Sequence, residues 1–440
     1  MDTHGAVDYQ AIDYLTALIL LRLLTEKPRT ENFSTASDYA NKIELLKIWD
    51  KVSWQSIQQS SYPNRALYQA IDEIAASSNE ELRELLESLR IDELIKNPEL
   101  CRQLIEIVSS INFDQIENDD TPSIVDKLIS TFADASGEKG GEFYTPENLA
   151  TLLANILDPE PDKKILDPAC GTGGLLLKAY EYADKKVGSS QSPVYLFGQD
   201  INSRSVAIAR ANALLHGIST VSVKIGDSLV ENKFNKISNK FDFILTNPPI
   251  GLRHDDSTLS RLKFYGAVKF QYGQPTRVAD ANFVQLASEM LSEDGRAVLL
   301  IGLRFLITVL AQESKIRENL VEADLIESVI TLPKNILAHT TAQPAILVLN
   351  RKKSSDLQRK ILFVYADKEF KDISRSRRII DEENQKKIID VFSNKREQKH
   401  FSAIVSLEKL RENNYILRSA DYVGIRDFQR NNHPKFSFDS

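Results

Sequence analysis

The chain has 440 residues, 42% of them apolar and 27% charged, with a net charge of −7. This balance is that of an ordinary globular protein and excludes a largely disordered chain, a collagen-like fibre or a disulfide mini-scaffold. Two cysteines, Cys101 and Cys170, are too few for a disulfide framework or a cysteine-rich zinc site, and they fit a reducing cytoplasm. The first residues lack the basic start of a signal peptide. The apolar runs Tyr14–Leu24 and Ala297–Ala311 are short and carry Arg22 and Arg304, so buried elements are expected there and no membrane span. The acidic balance argues mildly against a stand-alone nucleic-acid binder. Residues 351–400, however, hold 15 Lys+Arg against 9 Asp+Glu, a local net of +6. Contact with a polyanion and a solvated helical face account for it equally well.

In chain order, residues 1–136 are expected to form a helical domain. Tyr14, Leu15, Leu18, Leu21 and Leu24 recur at helical spacing, as do Leu82, Leu85, Leu86 and Leu89. Ser78-Asn79-Glu80-Glu81 has the form of an N-cap followed by acids. Further helices are expected at Glu99–Ser109 and Ser123–Ala133. Ala135-Ser136-Gly137-Glu138-Lys139-Gly140-Gly141 is a polar hinge and a candidate boundary. From 137 to 352 short β-rich runs alternate with helical stretches. The runs are Lys164–Asp167, Tyr195–Gly198, Val221–Ile225, Phe241–Leu245, Arg296–Ile301, Leu325–Leu332 and Ala345–Leu349. The alternation predicts an α/β fold with a seven-stranded, mainly parallel sheet covered on both faces. Ligands of such sheets bind beyond the carboxyl ends of the strands. After one more run, Ile361–Tyr365, the third segment, 353–440, is expected to be mostly helical.

The first run leads into Asp167-Pro168-Ala169-Cys170-Gly171-Thr172-Gly173-Gly174 and then a helix. Glycines in a strand-to-helix turn let the backbone approach a ligand, with helix N–H groups facing it. No Gly-Lys-Ser/Thr follows, so this is not a P-loop, and it is not Gly-x-Gly-x-x-Gly. The second run ends in Gly198-Gln199-Asp200-Ile201-Asn202, where a carboxylate can accept both hydroxyls of a ribose. The third ends in Gly226-Asp227-Ser228-Leu229, where Asp227 can accept from an adenine amino group. Each acid alone is as readily a cap or turn residue. In order on consecutive strand ends they make a constellation for an adenosine-bearing ligand whose other end is an amine and a carboxylate, a description that S-adenosylmethionine fits.

The fourth run ends in Thr246-Asn247-Pro248-Pro249-Ile250-Gly251. Consecutive prolines hold the backbone and remove two amide donors, leaving carbonyl acceptors beside the Asn247 side chain. Two acceptors aimed at one planar amine hold both N–H bonds, take the lone pair out of conjugation and point it at an electrophilic methyl. The remainder is positioning and charge stabilisation.

Together, Asp167–Gly174, Gly198–Asn202, Gly226–Leu229 and Asn247–Ile250 resemble the motif series of N6-adenine DNA methyltransferases. Phe143-Tyr144-Thr145-Pro146 resembles the cofactor motif that precedes the glycine loop in that series. The resemblance is closest to the modification subunit of type I restriction–modification systems. Its further pieces are Tyr14–Lys27, Phe132-Ala133, Ala211–Gly217, Tyr272-Gly273, Ala279–Gln285, Leu332–Asn335, Asn413–Leu417 and Tyr422-Val423. The resemblance implies an S-adenosylmethionine-dependent methyltransferase fold. It implies a cofactor site of Phe143, Tyr144, Thr145, Pro146, Asp167, Ala169, Gly171, Thr172, Gly173, Asp200, Ile201, Asp227 and Ser228, and a catalytic set of Asn247, Pro248, Pro249 and Ile250. It also implies adenine in duplex DNA as substrate, flipped out of the stack. A separate specificity subunit is implied as partner, with a restriction subunit or a second copy of the chain as further partners, in the cytoplasm. No metal site is expected.

Three features depart from the resembled pattern. The fourth tetrad position is aromatic in most adenine methylases; Ile250 has no π-face, and stacking on a base is worth roughly 1–3 kcal/mol. Phe264, Tyr265 and Phe270 follow in the next loop. Ile301-Gly302-Leu303-Arg304-Phe305 stands where a Pro-Asp-Gly-like turn is usual, and the chain stops soon after Val423, where relatives carry a longer helical tail. Three readings therefore stand side by side: a DNA adenine methyltransferase subunit, a methyltransferase of another planar amine or amide, and a non-catalytic scaffold that binds the cofactor. His216 is expected to cap or pack at a helix end and not to bind a metal, and His254 and His339 are isolated. Arg375, Arg377 and Arg378 either touch phosphates or face solvent.

Overall fold

A computed structural model describes residues 14, 15, 17–19, 21, 22, 25, 52–76, 91–111, 145–187, 194–216, 218, 220–234, 240–266, 268–337, 340–374 and 377–425. The expected cap and helix at 78–89, the helix at Ser123–Ala133, the hinge with its 136/137 boundary, Phe143, Tyr144, His339 and Arg375 lie outside these residues. The chain divides into two compact units, residues 1–145 with 159–235 and residues 146–158 with 236–440.

The first unit begins helically. Residues 14, 15, 17–19, 21, 22 and 25 are helical, followed by α1 (Trp54–Gln58), α2 (Pro63–Ala75), α3 (Ile91–Ile95) and α4 (Pro98–Ser110). The helix expected at Glu99–Ser109 is α4. Asn97 caps it by accepting from the Leu100 N–H at 3.2 Å, and Pro98 opens it where no N–H is missed. Its buried face is Cys101, Leu104, Ile105 and Val108, which meets Leu18, Leu21, Trp54, Ile57, Leu67 and Ile74 in one core. Arg22 donates to the Val108 and Ile111 carbonyls at 2.5 and 2.8 Å, covering the free acceptors at the end of α4. The next helix, α5 (Glu147–Leu157), belongs to the second unit. The first unit then continues as β1 (Lys163–Asp167), α6 (Gly174–Val187), β2 (Val194–Asp200), α7 (Ser203–Leu215) and β3 (Val221–Ile225). The three strands are parallel in the order β1-β2-β3. Register pairs Asp167 with Gly198 and Asp200 with Ile225, so their carboxyl ends form one edge.

The second unit adds β4 (Phe241–Thr246), α8 (Asp256–Tyr265), α9 (Ala279–Met290), β5 (Leu291–Gly302), α10 (Leu303–Ile307), α11 (Ala311–Glu322), β6 (Ile326–Thr331) and β7 (Pro344–Asn350). After a 3-10 turn at Ser355–Leu357 come β8 (Lys360–Tyr365), β9 (Lys371–Ser374), β10 (Arg377–Ile379), α12 (Glu382–Ser393), β11 (Ser402–Ser406), α13 (Leu407–Glu412) and α14 (Ser419–Tyr422). Six strands run in the order β11-β8-β6-β7-β5-β4. β7 is antiparallel to β5 and β6, and β11 is antiparallel to β8. β6 and β7 are buried along their whole length, which is why they are near-continuous apolar runs.

The α/β class expected from the alternation holds, and two details differ. Among the described residues nine sheet strands, three in the first unit and six in the second, stand against the expected seven, and β9 and β10 form a separate two-stranded ribbon. The described part of 353–440 is correspondingly mixed and not mostly helical. Lys353 shows why it joins the sheet. Its ammonium is buried and donates to Asp324 at 2.5 Å and to the Ile326 and Lys360 carbonyls at 3.0 and 2.6 Å, joining the starts of β6 and β8. Further on, buried Arg317 donates to the Phe305 carbonyl at 2.9 Å and the Tyr415 carbonyl at 2.5 Å. It thereby secures the late Asn413–Leu417 piece, in which Asn414 and Tyr415 both have positive φ. Among the described residues no helix is long and apolar enough to cross a membrane.

Candidate functional site

In the first unit the edge formed by β1, β2 and β3 carries the glycine loop. Asp167 is fully buried at the end of β1, and its Oδ1 accepts from the Ala169 N–H at 3.0 Å, closing the turn into the loop. Gly171 and Gly173 have φ of +51° and +85°, which side-chain-bearing residues reach only under strain. A Cβ on Gly173 would also stand 3.2 Å from the Ala209 Cβ, so α7 approaches the loop closely. Gly173→Ala is therefore expected to cost about 1–2 kcal/mol locally and to weaken cofactor binding roughly tenfold. Calorimetric titration with S-adenosylmethionine checks this, and unchanged affinity would mean that the loop conformation is not what binds.

Asp200 is also buried, and both of its carboxylate oxygens are engaged. Oδ2 accepts from the Gly171 N–H at 2.9 Å and Oδ1 from the Asn202 N–H at 2.8 Å. Each oxygen keeps a second acceptor site, so the carboxylate braces the glycine loop while retaining capacity for hydroxyls. Burial raises its pKa, against the pull of the backbone amides of Asn202, Gly171 and Ile201. The neighbouring Ile201 is 68% exposed and offers an apolar surface at the strand end. Asp227 accepts from the Leu229 N–H at 3.0 Å and is half-buried. Ser228, expected among the ligand contacts, is buried and donates to the Pro168 carbonyl at 2.7 Å, so what it braces is the Asp167–Gly174 loop. Ala169 and Thr172 are half-buried at the loop surface.

One residue that sequence reasoning gave no role acts here. Asn212 of α7 is buried and donates from Nδ2 to the Thr172 carbonyl at 3.0 Å. An asparagine among alanines inside a helix, where its propensity is poor, was the available signal. The set suits a ligand with a cationic amine and a diol. Buried Asp167 and Asp200 supply negative charge and acceptor sites, and the glycines leave room for close approach. S-adenosylmethionine fits this donor set.

In the second unit β4 delivers Asn247-Pro248-Pro249-Ile250-Gly251. Asn247 and Ile250 are half-buried, Pro248 is buried and Pro249 is exposed. The turn is held by Asp280, in the first turn of α9. One carboxylate oxygen accepts from the Gly251 N–H at 2.9 Å and the other from the Gly302 N–H, at the end of β5, at 2.7 Å. Asp280 is 3% exposed, and burial raises its pKa while the Gly251, Gly302 and its own backbone amides and the charge of Arg304 pull it down. Gly302 is glycine for a spatial reason: a Cβ there would lie 3.0 Å from Ile250 Cγ2 and 3.1 Å from Asp280 Oδ1. The unusual Ile301-Gly302 sequence is thus the wall behind Ile250. The chain after the turn is also secured. Ala279 donates to the Leu252 carbonyl at 2.9 Å, and buried Asn282 exchanges two hydrogen bonds with the Thr276 backbone at 2.8 Å each. Phe264, on α8, is 78% exposed, and Phe270 has φ +50°. Of the four-residue cofactor motif, Thr145 ends one segment of the first unit, and Pro146 is the N-cap of α5 in the second. Among the described residues no group of His, Cys, Asp and Glu side chains could hold a metal ion.

A family model described as N-6 DNA Methylase matches residues 117–431. The chain belongs to the N-6 DNA methylase family. The type I restriction enzyme MjaVII methylase subunit of Methanocaldococcus jannaschii is 31% identical to it over 445 residues, which is 94% of this chain and 75% of that protein. The MjaVIII methylase subunit of the same organism is also 31% identical, over 76% of this chain and 60% of that protein. The methyltransferase subunit of a type I restriction–modification system from Streptococcus thermophilus shares the fold, with a TM-score of 0.72, 24% identity and coverage of 94% and 93% of the two chains. This N-6 DNA methylase is accordingly an S-adenosylmethionine-dependent N-methyltransferase, as the motif series led one to expect.

Proposed function

We propose that the chain is the modification subunit of a type I-like restriction–modification system, acting in the cytoplasm on adenine N6 of duplex DNA. The observation that carries this is the Asn247–Ile250 turn, clamped by Asp280 between the ends of β4 and β5 in a chain of the N-6 DNA methylase family. The Asn247 side-chain oxygen and the Pro248 carbonyl accept the two N6 protons of a flipped adenine. Its lone pair then points out of the ring plane. Ile250 packs on the base edge where an aromatic ring would stack. When bound, S-adenosylmethionine supplies an electrophilic methyl group. Asp167 and the Gly171–Gly173 turn hold its amine and carboxylate end, Asp200 its ribose, and Ile201 and Asp227 the adenine side, with Ala169 and Thr172 lining the loop that Ser228 braces. Phe143, Tyr144, Thr145 and Pro146 complete the cofactor contacts. Target sequence is chosen by a separate specificity subunit. Residues 1–136 and 353–440 flank the catalytic part, 137–352, and serve assembly with that subunit, a second copy of the chain and a restriction subunit.

The deciding experiment adds labelled S-adenosylmethionine to the chain co-expressed with its specificity subunit and to lysate of the source cell. Label is then counted in DNA, protein and small molecules, with Asn247→Ala as control. Label recovered as N6-methyladenine supports the proposal. Label confined to protein or metabolites would move the same chemistry to another amine.

The raised pKa of Asp200 gives a pH dependence with a definite sign. Its carboxylate protonates sooner on acidification than an exposed aspartate, whose pKa is about 3.9. Protonation removes acceptor capacity, so cofactor affinity falls as pH falls, beginning before an ordinary aspartate titrates. Titration of S-adenosylmethionine binding against pH checks this. Asp200→Asn is expected to weaken binding and flatten the profile, and affinity constant down to about pH 4 would contradict the assignment.

A further inference from the structure

The carboxyl ends of β4, β5, β6 and β8 share one edge of the second unit's sheet. β4 is parallel to β5, β5 and β6 are both antiparallel to β7, and β6 is parallel to β8. The Asn247–Ile250 turn leaves this edge from β4. Lys334 leaves it from β6, and Lys368 and the β9–β10 ribbon leave it from β8. The order β8-β6-β7-β5-β4 sets four strand spacings between the ribbon's root and the tetrad's root, roughly 19 Å.

The ribbon is an exposed device with a rigid anchor. All four residues of β9 are exposed. Arg378 of β10 donates its backbone N–H to the Asn335 carbonyl at 3.0 Å. Its guanidinium bonds Asp372 at 3.1 Å and lies 3.8 Å over the Phe370 ring. The acids of the segment are engaged within the protein: Glu369 with Lys387, Asp372 with Arg378, and Asp367 with the Tyr365 hydroxyl and Gln343. Of the lysines, Lys371 is 71% exposed on its side chain and pairs with Asp381 at 3.5 Å, a solvated contact that a phosphate can compete for. Lys334 and Lys368 are exposed and have no acid partner among the described residues. This edge lies in and beside the stretch whose local charge is +6 in a chain of net −7.

We propose that Lys334, Lys368 and Lys371 form a phosphate-binding site for duplex DNA. At about 3.4 Å per base-pair step, the site meets the backbone some five to six base pairs from the adenine at Asn247. The inference rests on the reading of DNA as substrate. Compact ammonium groups on and beside a pinned ribbon neutralise phosphates without reading bases, so the contact orients the duplex and carries no sequence information.

The test uses the full chain co-expressed with its specificity subunit and a fluorescein-labelled duplex of about 30 base pairs, with binding followed by anisotropy between 50 and 200 mM salt. The triple variant Lys334→Gln, Lys368→Gln, Lys371→Gln is compared with wild type. These are exposed positions, and thermal unfolding of both proteins verifies the fold. The variant is expected to lower the slope of log K against log salt by about 2–3, near 0.9 per phosphate contact, equally for cognate and unrelated duplexes. Trimming one flank to fewer than about five base pairs should abolish the difference between the two proteins. An unchanged slope beside normal wild-type binding would overturn this site and leave the DNA reading intact. An unchanged slope with loss of the co-purifying specificity subunit would also overturn it, assigning the edge to a protein interface. A wild type that neither binds duplex nor methylates it would overturn both readings.

Discussion

Asn247→Ala should reduce the single-turnover rate of methyl transfer by about 10²–10³-fold, equivalent to roughly 2.7–4 kcal/mol. The substitution removes one of the two acceptors proposed for the adenine amine and leaves the rigid Pro248-Pro249 backbone in place. S-adenosylmethionine affinity should stay unchanged, because Asp167, Gly171 and Gly173, the residues proposed to hold the cofactor, belong to the other unit's loop. Rapid-quench measurement with excess enzyme reports the chemical step directly, and a parallel cofactor titration supplies the control. A full rate would remove Asn247 from the catalytic set. Equal loss of rate and cofactor affinity would mean that the residue shapes the fold and does not act on the amine.

Asp280→Ala should lower both stability and turnover. The carboxylate is 3% exposed and accepts from two backbone amides, at 2.9 and 2.7 Å. Without it the Gly251 and Gly302 N–H groups lose their partner in a buried setting. An unsatisfied buried donor costs about 1–3 kcal/mol, so a combined loss of about 2–6 kcal/mol is expected. Asp280→Asn keeps one acceptor and should lose about half as much. Urea unfolding of the two variants measures the stability term. Turnover at saturating cofactor separates positioning from folding: a turn displaced by about 1 Å is enough to cost 10²-fold in rate. If Asn restores stability but not turnover, Asp280 positions the tetrad. If stability and rate recover together, its role is structural only.

Asp280 also shows where sequence reasoning stops. An acid in the first turn of α9 is what any helix N-terminus favours, and nothing in Ala279–Gln285 says that its carboxylate reaches back 29 residues to Gly251 and on 22 residues to Gly302. Asn212 and Ser228 follow the same logic, since each braces the glycine loop from 40 and 60 residues away in the chain. Asp200 was legible as the acid at the end of the second strand. Its bond to the Gly171 N–H was not, because that bond exists only once β1 and β2 lie side by side. In the C-terminal region the charged alternation of 371–379 and the brief Ser402–Ser406 run carry little strand signal of their own. Both gain their strand conformation from a partner, β9 from β10 and β11 from β8.

Local patterns alone were enough for the class of fold and for the places of its first strands along the chain. Val221–Ile225 is the strand its composition implies, and Lys164–Asp167 and Phe241–Leu245 fall one residue short of β1 and β4. These features depend on alternation of apolar residues, on glycine's access to positive φ and on proline's missing amide, all of which act within a few residues. Which groups brace the site, how many strands the sheet holds and which lysines share an edge with the tetrad depend on pairings between distant segments. A carboxylate or an ammonium has no preferred distant partner until burial removes water as the competitor. That choice is made by packing, and it becomes visible only in the folded chain.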